Sequence, residues 1–187
     1  MTRTEIRPTT DDTPTVSPVQ APLERVSAED FRAALSRVAS SVFIVSTDGA
    51  HGIAGFTCSA VCAVTDEPPS VLVCVNRKSA ANAVIKANGV LCLSSLGAEQ
   101  VELSQMFAGV GRVPMSERFR GPHWGVLSTG SPYCTQSRVA LDCRVAEVRE
   151  VGTHSVLLAE VLSTVLGANN QPLIYHGRNY ATIQLMS

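Results

Sequence analysis

The tetrapeptide Asp66-Glu67-Pro68-Pro69, standing directly before an apolar run at residues 71–75, constrains this chain more than any other feature. Proline lacks an N–H and fixes φ, so two in succession fit neither a helix interior nor a central strand. The chain must turn there. The run that follows is short, continuous and valine-rich, which reads as a buried strand. The same punctuation recurs along the sequence. Residues 42–47 are β-branched and end at Asp48-Gly49, a turn dipeptide. Residues 52–64 read as one or two strands, with Gly55 permitting a close backbone approach. Residues 90–93, 137–148, 155–165 and 171–175 extend the strand pattern.

Helical signals are few and short. Ser27 can cap a helix with Asp30 in its first turn, and Phe31, Ala34, Leu35 and Val38 recur at helical spacing to about Ala39. A second helix is expected from about Ser79 to Lys86, ended by Gly89. Residues 98–107 look helical, with Val101, Leu103 and Met106 inward. Residues 109–122 are rich in Gly, Pro and charge and read as a surface loop. Strands dominate, which favours a mainly β fold, a β-barrel with a few short peripheral helices, over an alternating β/α sheet.

Residues 1–24 carry Pro8, Pro14, Pro18 and Pro22 among Thr, Asp and Ser. Such a segment buries too little apolar surface to offset its ordering entropy, so it is expected to be a disordered or loosely docked arm. Residues 25–187 then form one domain. With 187 residues and 45% apolar composition, the chain can build a real core. The net charge is −1 and the basic residues are scattered. Nucleic-acid and anionic-membrane partners, which need a basic surface, are not expected. No apolar run approaches the roughly 20 residues that span a bilayer, and no secretory pattern opens the chain, so the expected compartment is the cytoplasm. The six cysteines (Cys58, Cys62, Cys74, Cys92, Cys134 and Cys143) form no C-x-x-C pair and read as small buried hydrophobes. The four histidines show no ligand spacing with them, and no metal is expected.

The common signatures of nucleotide and hydrolase sites are missing. No G-x-G-x-x-G opens a helix after a strand, and there is no P-loop, G-x-S-x-G elbow or H-E-x-x-H. Four other segments could carry chemistry. Gly55-Phe56-Thr57-Cys58-Ser59-Ala60-Val61 puts small residues and two hydroxyls in an apolar region. Small side chains let a flat ring lie against the backbone, whose polar groups then read the ring edge. The same residues would suit a barrel strand at a tight bend. Asn76-Arg77-Lys78-Ser79 brings backbone N–H groups, a hydroxyl and cations to a strand end before a helix, which suits a phosphate. It would equally make an ordinary N-cap. Gly152-Thr153-His154-Ser155 is a turn before a strand, and His154 there could be structural. Tyr175-His176-Gly177-Arg178-Asn179-Tyr180 could stack on a ring, close the barrel or make a dimer contact.

Taken in order, these segments resemble the short-chain flavin reductase family, whose fold is a Greek-key, flavin-binding split β-barrel. The resemblance covers nearly all of residues 31–183. It is carried by Phe31-Arg32-x-Ala34, the strand at 42–47, the Gly55–Val61 segment and Asp66-x-Pro68-Pro69 with its following strand through Asn76. It continues through Leu103-Ser104-x-x-Phe107, Arg118-Phe119, Asp142-Cys143-Arg144-Val145, Gly152-x-His154 and the Pro172-to-Tyr180 segment. Within the family the chain is similar to reductase components of two-component monooxygenases, including those acting with halophenol or 4-hydroxyphenylacetate hydroxylases and with pyrimidine ring opening.

The resemblance implies an enzyme that transfers hydride from NADH, with NADPH not excluded, to FAD or FMN. It implies a homodimer that delivers reduced flavin, transiently or by diffusion, to a flavin-dependent monooxygenase acting on an aromatic substrate. Thr57, Cys58, Ser59, Ala60 and Val61 would line the isoalloxazine, and Ser40, Ser41 and Val42 would contact it. Asn76, Lys78 and Ser79 would hold the phosphate end, with Phe107 and Tyr180 as walls. His154 would be the catalytic residue beside the nicotinamide or flavin. Two departures from the family pattern stand out. Ser41 replaces a frequent Gly, and Thr153 replaces a frequent Asp before the histidine. Without an acidic neighbour, His154 reads as a positioning group rather than an acid. The alternative reading is a flavin-binding split barrel without redox turnover.

Overall fold

The computed structural model describes residues 24–167 and 171–184, so all but the last residue of the expected N-terminal arm lies outside them. Twelve strands are defined: β1 (Ser40–Ser41), β2 (Phe43–Thr47), β3 (Ala54–Cys58), β4 (Val61–Asp66), β5 (Pro69–Asn76), β6 (Val90–Ser95), β7 (Trp124–Val126), β8 (Pro132–Cys134), β9 (Val139–Val151), β10 (His154–Leu166), β11 (Ile174–His176) and β12 (Asn179–Ala181). Four α-helices accompany them: α1 (Ala28–Ser36), α2 (Ala80–Asn88), α3 (Val101–Phe107) and α4 (Met115–Arg118).

One antiparallel sheet of 7 strands, in the order β3-β2-β6-β9-β10-β5-β4, carries the fold. Its two edge strands, β3 and β4, are consecutive in the chain and separated only by Ser59 and Ala60. Laid flat, such a sheet would be about 29 Å wide at the usual strand spacing. The chain from Cys58 to Val61 spans at most about 11 Å. The sheet must therefore curl on itself. The contacts agree: the Cys74 N–H on β5 donates to the Ala60 carbonyl at 3.1 Å, and the Cys58 thiol on β3 donates to the Cys74 carbonyl at 3.7 Å.

Strand alternation fills the barrel. On β5, Val71, Val73 and Val75 are buried, whereas Leu72 and Cys74 alternate with them and are only half-buried. They pack with Val45, Leu91, Leu93, Cys143, Leu157, Ala159 and with Ala81 and Ile85 of α2. Ser79 caps α2, and Gly89 ends it in the left-handed conformation at φ 70°, where a side chain would be strained. A second apolar cluster of Val42, Ile44, Leu96, Phe107 and Leu173 lies outside the barrel wall, flanked by Phe119, Trp124 and Tyr180. Phe107, Phe119 and Trp124 contact one another with centroids 4.7–5.5 Å apart. Gly55 admits this cluster. A Cβ there would lie 2.8 Å from the rings of both Phe107 and Phe119 and 3.1 Å from the Val45 carbonyl.

Several expectations need correction. Helix α1 stops at Ser36, because the N–H groups of Arg37 and Val38 bond three residues back and tighten the end. None of its residues is buried: Phe31 and Leu35 are 52% exposed, and Val38, just past its end, is 56% exposed. In the segment at 98–107, a 3₁₀ turn (Ala98–Gln100) precedes α3, and its buried residues are Ser104 and Phe107, with Val101, Leu103 and Met106 half-buried. The loop at 109–122 contains α4 and another 3₁₀ turn (Val110–Arg112). The C-terminal strand is a hairpin, β11–β12, which also recruits β1 through Ser40↔Tyr175 and Ser41↔Ile174. Strands β7 and β8 were not anticipated. Of the six free cysteines, Cys62 is exposed and Cys74 half-buried, because their positions on β4 and β5 face away from the barrel core.

Gly55→Ala is expected to destabilise the fold by about 1–3 kcal/mol, the usual cost of overpacking. Urea unfolding measures it, and an unchanged midpoint would contradict the close approach.

Candidate active site

Where the barrel closes, three clefts adjoin. The first, of about 200 Å³, is lined by Val42, Thr57, Cys58, Ser59, Ala108, Tyr175 and Tyr180. Ser59 and Ala60 are exposed here, since the step between the two edge strands leaves them outside the sheet. The second, of about 680 Å³, is lined by Arg32, Asn76, Arg77, Lys78, Gly152, Thr153 and His154. The third, of about 420 Å³, shares Ser59 and Tyr175 with the first and Arg32 with the second, and adds Ser40 and Arg178.

The first cleft is predominantly apolar. The Tyr175 and Tyr180 rings meet edge to face at 5.5 Å. The Tyr180 hydroxyl is held by Ser104 Oγ at 2.9 Å, and the Thr57 hydroxyl donates to the Ser104 carbonyl at 2.6 Å. The Thr57 proton is thus committed within the protein. Burial pushes the Cys58 thiol up to about 11, so this cleft presents a neutral thiol and no nucleophilic thiolate near neutral pH. Val42 is buried beneath the cleft, Ser41 is exposed on β1, and Val61 is half-buried at the start of β4. Phe107, expected as a wall, is only 2% exposed and packs in the aromatic cluster; Ala108 stands at the cleft instead.

The second cleft joins two segments that are far apart in sequence. Antiparallel pairing of β5 with β10 sets His154 directly opposite Asn76. Thr153 Oγ1 lies 2.9 Å from His154 Nδ1. A hydroxyl can donate to or accept from that nitrogen, so it orients the ring without adding a charge. The turn after β5 differs from the sequence expectation in one respect. Its backbone N–H groups are already engaged: Arg77 to the Thr153 carbonyl, Lys78 to Asn76 Oδ1 and Ser79 to the Asn76 carbonyl. Ser79 Oγ accepts from the Ala81 N–H, which leaves its own proton to give. An anion here would meet the side chains of Lys78 and Arg32, with the Ser79 hydroxyl beside them, rather than a nest of amides.

Behind this cleft, Glu150 collects cations. Its carboxylate lies 2.8 Å from Lys86 Nζ and 3.3 Å from Arg77 Nε, and it accepts from Ser155 Oγ. The Lys86 hydrogen bond, aided by Ser155 and Arg77, holds this carboxyl below its ordinary range.

A small-residue ring cleft beside a cationic turn and an oriented imidazole is consistent with a ring-and-phosphate cofactor. A model of the flavin reductase like domain matches residues 35–184. The chain belongs to that family. FMN reductase (NADH) RutF of Stutzerimonas stutzeri is 45% identical over 166 residues, covering 89% of this chain and 92% of its own. A proposed flavin reductase from Haemophilus somnus superposes with a TM-score of 0.80 at 38% identity, over 84% of this chain and all of that one. A homologue of nitrilotriacetate monooxygenase component B from Mycobacterium thermoresistibile gives 0.77 at 28%, over 83% and 86%. Against these split-barrel relatives the mainly β expectation holds.

For this flavin reductase family member, Arg32 and Ala108 are not among the residues expected at the site, and Tyr175 and Arg178 enter the expectation only through the 175–180 segment that could stack on a ring. Arg32 and Tyr175 stood inside motifs that carried the resemblance, which was the available signal. Ala108 carries none, since a small residue after a helix is ordinary. In thiol titration of the native protein, Cys58, Cys92, Cys134 and Cys143 should stay unreactive at pH 8, leaving at most two thiols per chain to react. More than two would contradict this burial.

Proposed function

We propose that this protein is an NADH:flavin oxidoreductase that reduces FMN and releases it to a flavin-dependent monooxygenase. The observation that carries the reading is the pairing of His154 with Asn76, which puts an oriented imidazole beside a cationic turn near the apolar cleft at Ser59. The relatives support NADH and FMN, because those of Stutzerimonas stutzeri and Agrobacterium fabrum are named FMN reductase (NADH). They favour FMN over FAD as the flavin. The resemblance to two-component systems supports an aromatic-hydroxylating oxygenase as the consumer.

The site residues fit a flavin. Ser59 and Ala60 are small enough for a ring to lie against the backbone, and Tyr175 and Tyr180 close one side. Lys78, Arg32 and the Ser79 hydroxyl would hold a phosphate. When bound, flavin supplies the hydride acceptor, and the chemistry is the cofactor's own. The protein's part is distance and orientation. Thr153 fixes the His154 ring at the rim of the second cleft, where it can hydrogen-bond a carboxamide or ring edge. No side chain is required as a nucleophile, in keeping with the neutral Cys58 thiol.

The family resemblance also implies a homodimer. The half-exposed Phe31 and Leu35 on α1, with Val38 just past its end, support one, since they form an apolar face that a second copy would cover. Sedimentation should give twice the chain mass, and a monomer at micromolar concentration would contradict it. Among the described residues no helix is long and apolar enough to cross a membrane. A cytoplasmic location is part of the proposal.

FMN should stimulate NADH oxidation by the purified protein, and background rates with both FMN and FAD would refute the reading. Thr153→Val should lower kcat/KM for NADH by about 2- to 10-fold, the scale of one net hydrogen bond, with FMN affinity unchanged.

A further inference from the structure

The second cleft has two walls, and one carboxylate ties them together. The first wall is the turn after β5, with Asn76, Arg77 and Lys78; the second is the β9–β10 turn, with Gly152, Thr153 and His154. Arg77 bridges them. Its N–H donates to the Thr153 carbonyl at 2.9 Å, and its guanidinium donates to the Gly152 carbonyl at 3.3 Å. Glu150 then fixes that guanidinium from the β9 side at 3.3 Å. It also accepts from Lys86 of α2 and from Ser155 of β10, and Ser155 in turn accepts from Asn82 of α2 at 2.9 Å. Asn82 reaches back to the Val75 carbonyl on β5 at 3.3 Å.

The Arg77–Glu150 ion pair in this arrangement does little for stability. The Arg77 and Glu150 side chains are 56% and 41% exposed, and exposed ion pairs contribute little to folding. What the network does fix is geometry. It sets the separation between the anion-binding turn and the strand end that bears His154. It also balances charge, because Arg77 and Lys86 both face Glu150. Arg32 and Lys78 are then the cations of the cleft that Glu150 does not engage.

We propose that Glu150 is a positioning residue of the reductase: it holds Arg77 against the β9–β10 turn, keeps His154 at its working distance from the phosphate end, and withholds the Arg77 charge from the bound anion. This rests on the flavin-reductase reading. Substituting Glu150→Gln keeps the shape and removes the charge. Arg77 is then free to swing toward the anion, and the His154 wall loosens. FMN affinity and hydride transfer therefore move in opposite directions, whereas general damage would weaken both.

The test is a double-mutant cycle on the full chain with Glu150→Gln, Arg77→Met and the pair. FMN dissociation constants come from fluorescence quenching, and NADH rates from stopped-flow bleaching. Glu150→Gln should tighten FMN and slow reduction, each roughly threefold, the scale of an exposed charge interaction. Arg77→Met should slow reduction without tightening FMN, and the pair should be no slower than Arg77→Met alone, because both act through one contact. Additive effects, parallel loss of affinity and rate, unchanged constants, or unfolding of the Glu150→Gln protein would each overturn the positioning role. If the unsubstituted protein shows no FMN-dependent NADH oxidation, the functional reading itself fails, and the positioning role goes with it. An active parent with an additive cycle defeats the positioning role alone.

Discussion

Closure of the sheet by two residues is the constraint on which the rest depends. Because Ser59 and Ala60 alone connect strands at opposite edges, the barrel must close at that point, and neither residue belongs to the ladder. Large side chains there would crowd the seam. Small ones leave an exposed step of backbone with aromatic walls supplied by β11 and β12. The first cleft is thus a by-product of how the barrel is joined, and it would persist in any chain that kept the joint.

The aromatic cluster outside the barrel packs against the strand that leads into this joint. Gly55 lets Phe107 and Phe119 press on β3 directly, one turn of chain before the seam. Ser104, buried on the same helix, then binds Thr57 through its carbonyl and Tyr180 through its hydroxyl. A single helical segment therefore sets the depth of the cleft from both sides. The polar atoms involved are satisfied within the protein, as buried polar groups must be, so the surface left to a ligand is mostly shape.

Much of this was legible in the sequence because it depends on local rules. Ser79 and Gly89 bracket α2 where capping chemistry requires, and valines 71, 73 and 75 announce a buried face. The small residues at Ser59 and Ala60 and the histidine turn were also visible as candidates. What could not be read were effects of pairing. Strand β9 runs on to Val151, although Glu147, Arg149 and Glu150 are charged, because β10 provides hydrogen-bond partners along its whole length. The exposed face of α1 has an amphipathic pattern that normally signals burial, yet no element among the described residues covers it. The thiol at Cys62 looked like its neighbours until its register opposite Leu72 turned it away from the core. The engagement of the Arg77, Lys78 and Ser79 amides depends on the β9–β10 turn arriving beside them and on Asn76 folding back, and only the latter is local.

That engagement bears on how such a site can diversify. A phosphate gripped by main-chain amides is bound by the fold, and losing it means remodelling the loop. Here the turn satisfies itself, and under the proposed reading affinity for an anion is delegated to detachable side chains on α1 and after β5. Ligand preference in this corner of the barrel can therefore drift through single codon changes at positions such as 32 and 78, while the scaffold beneath stays unaltered.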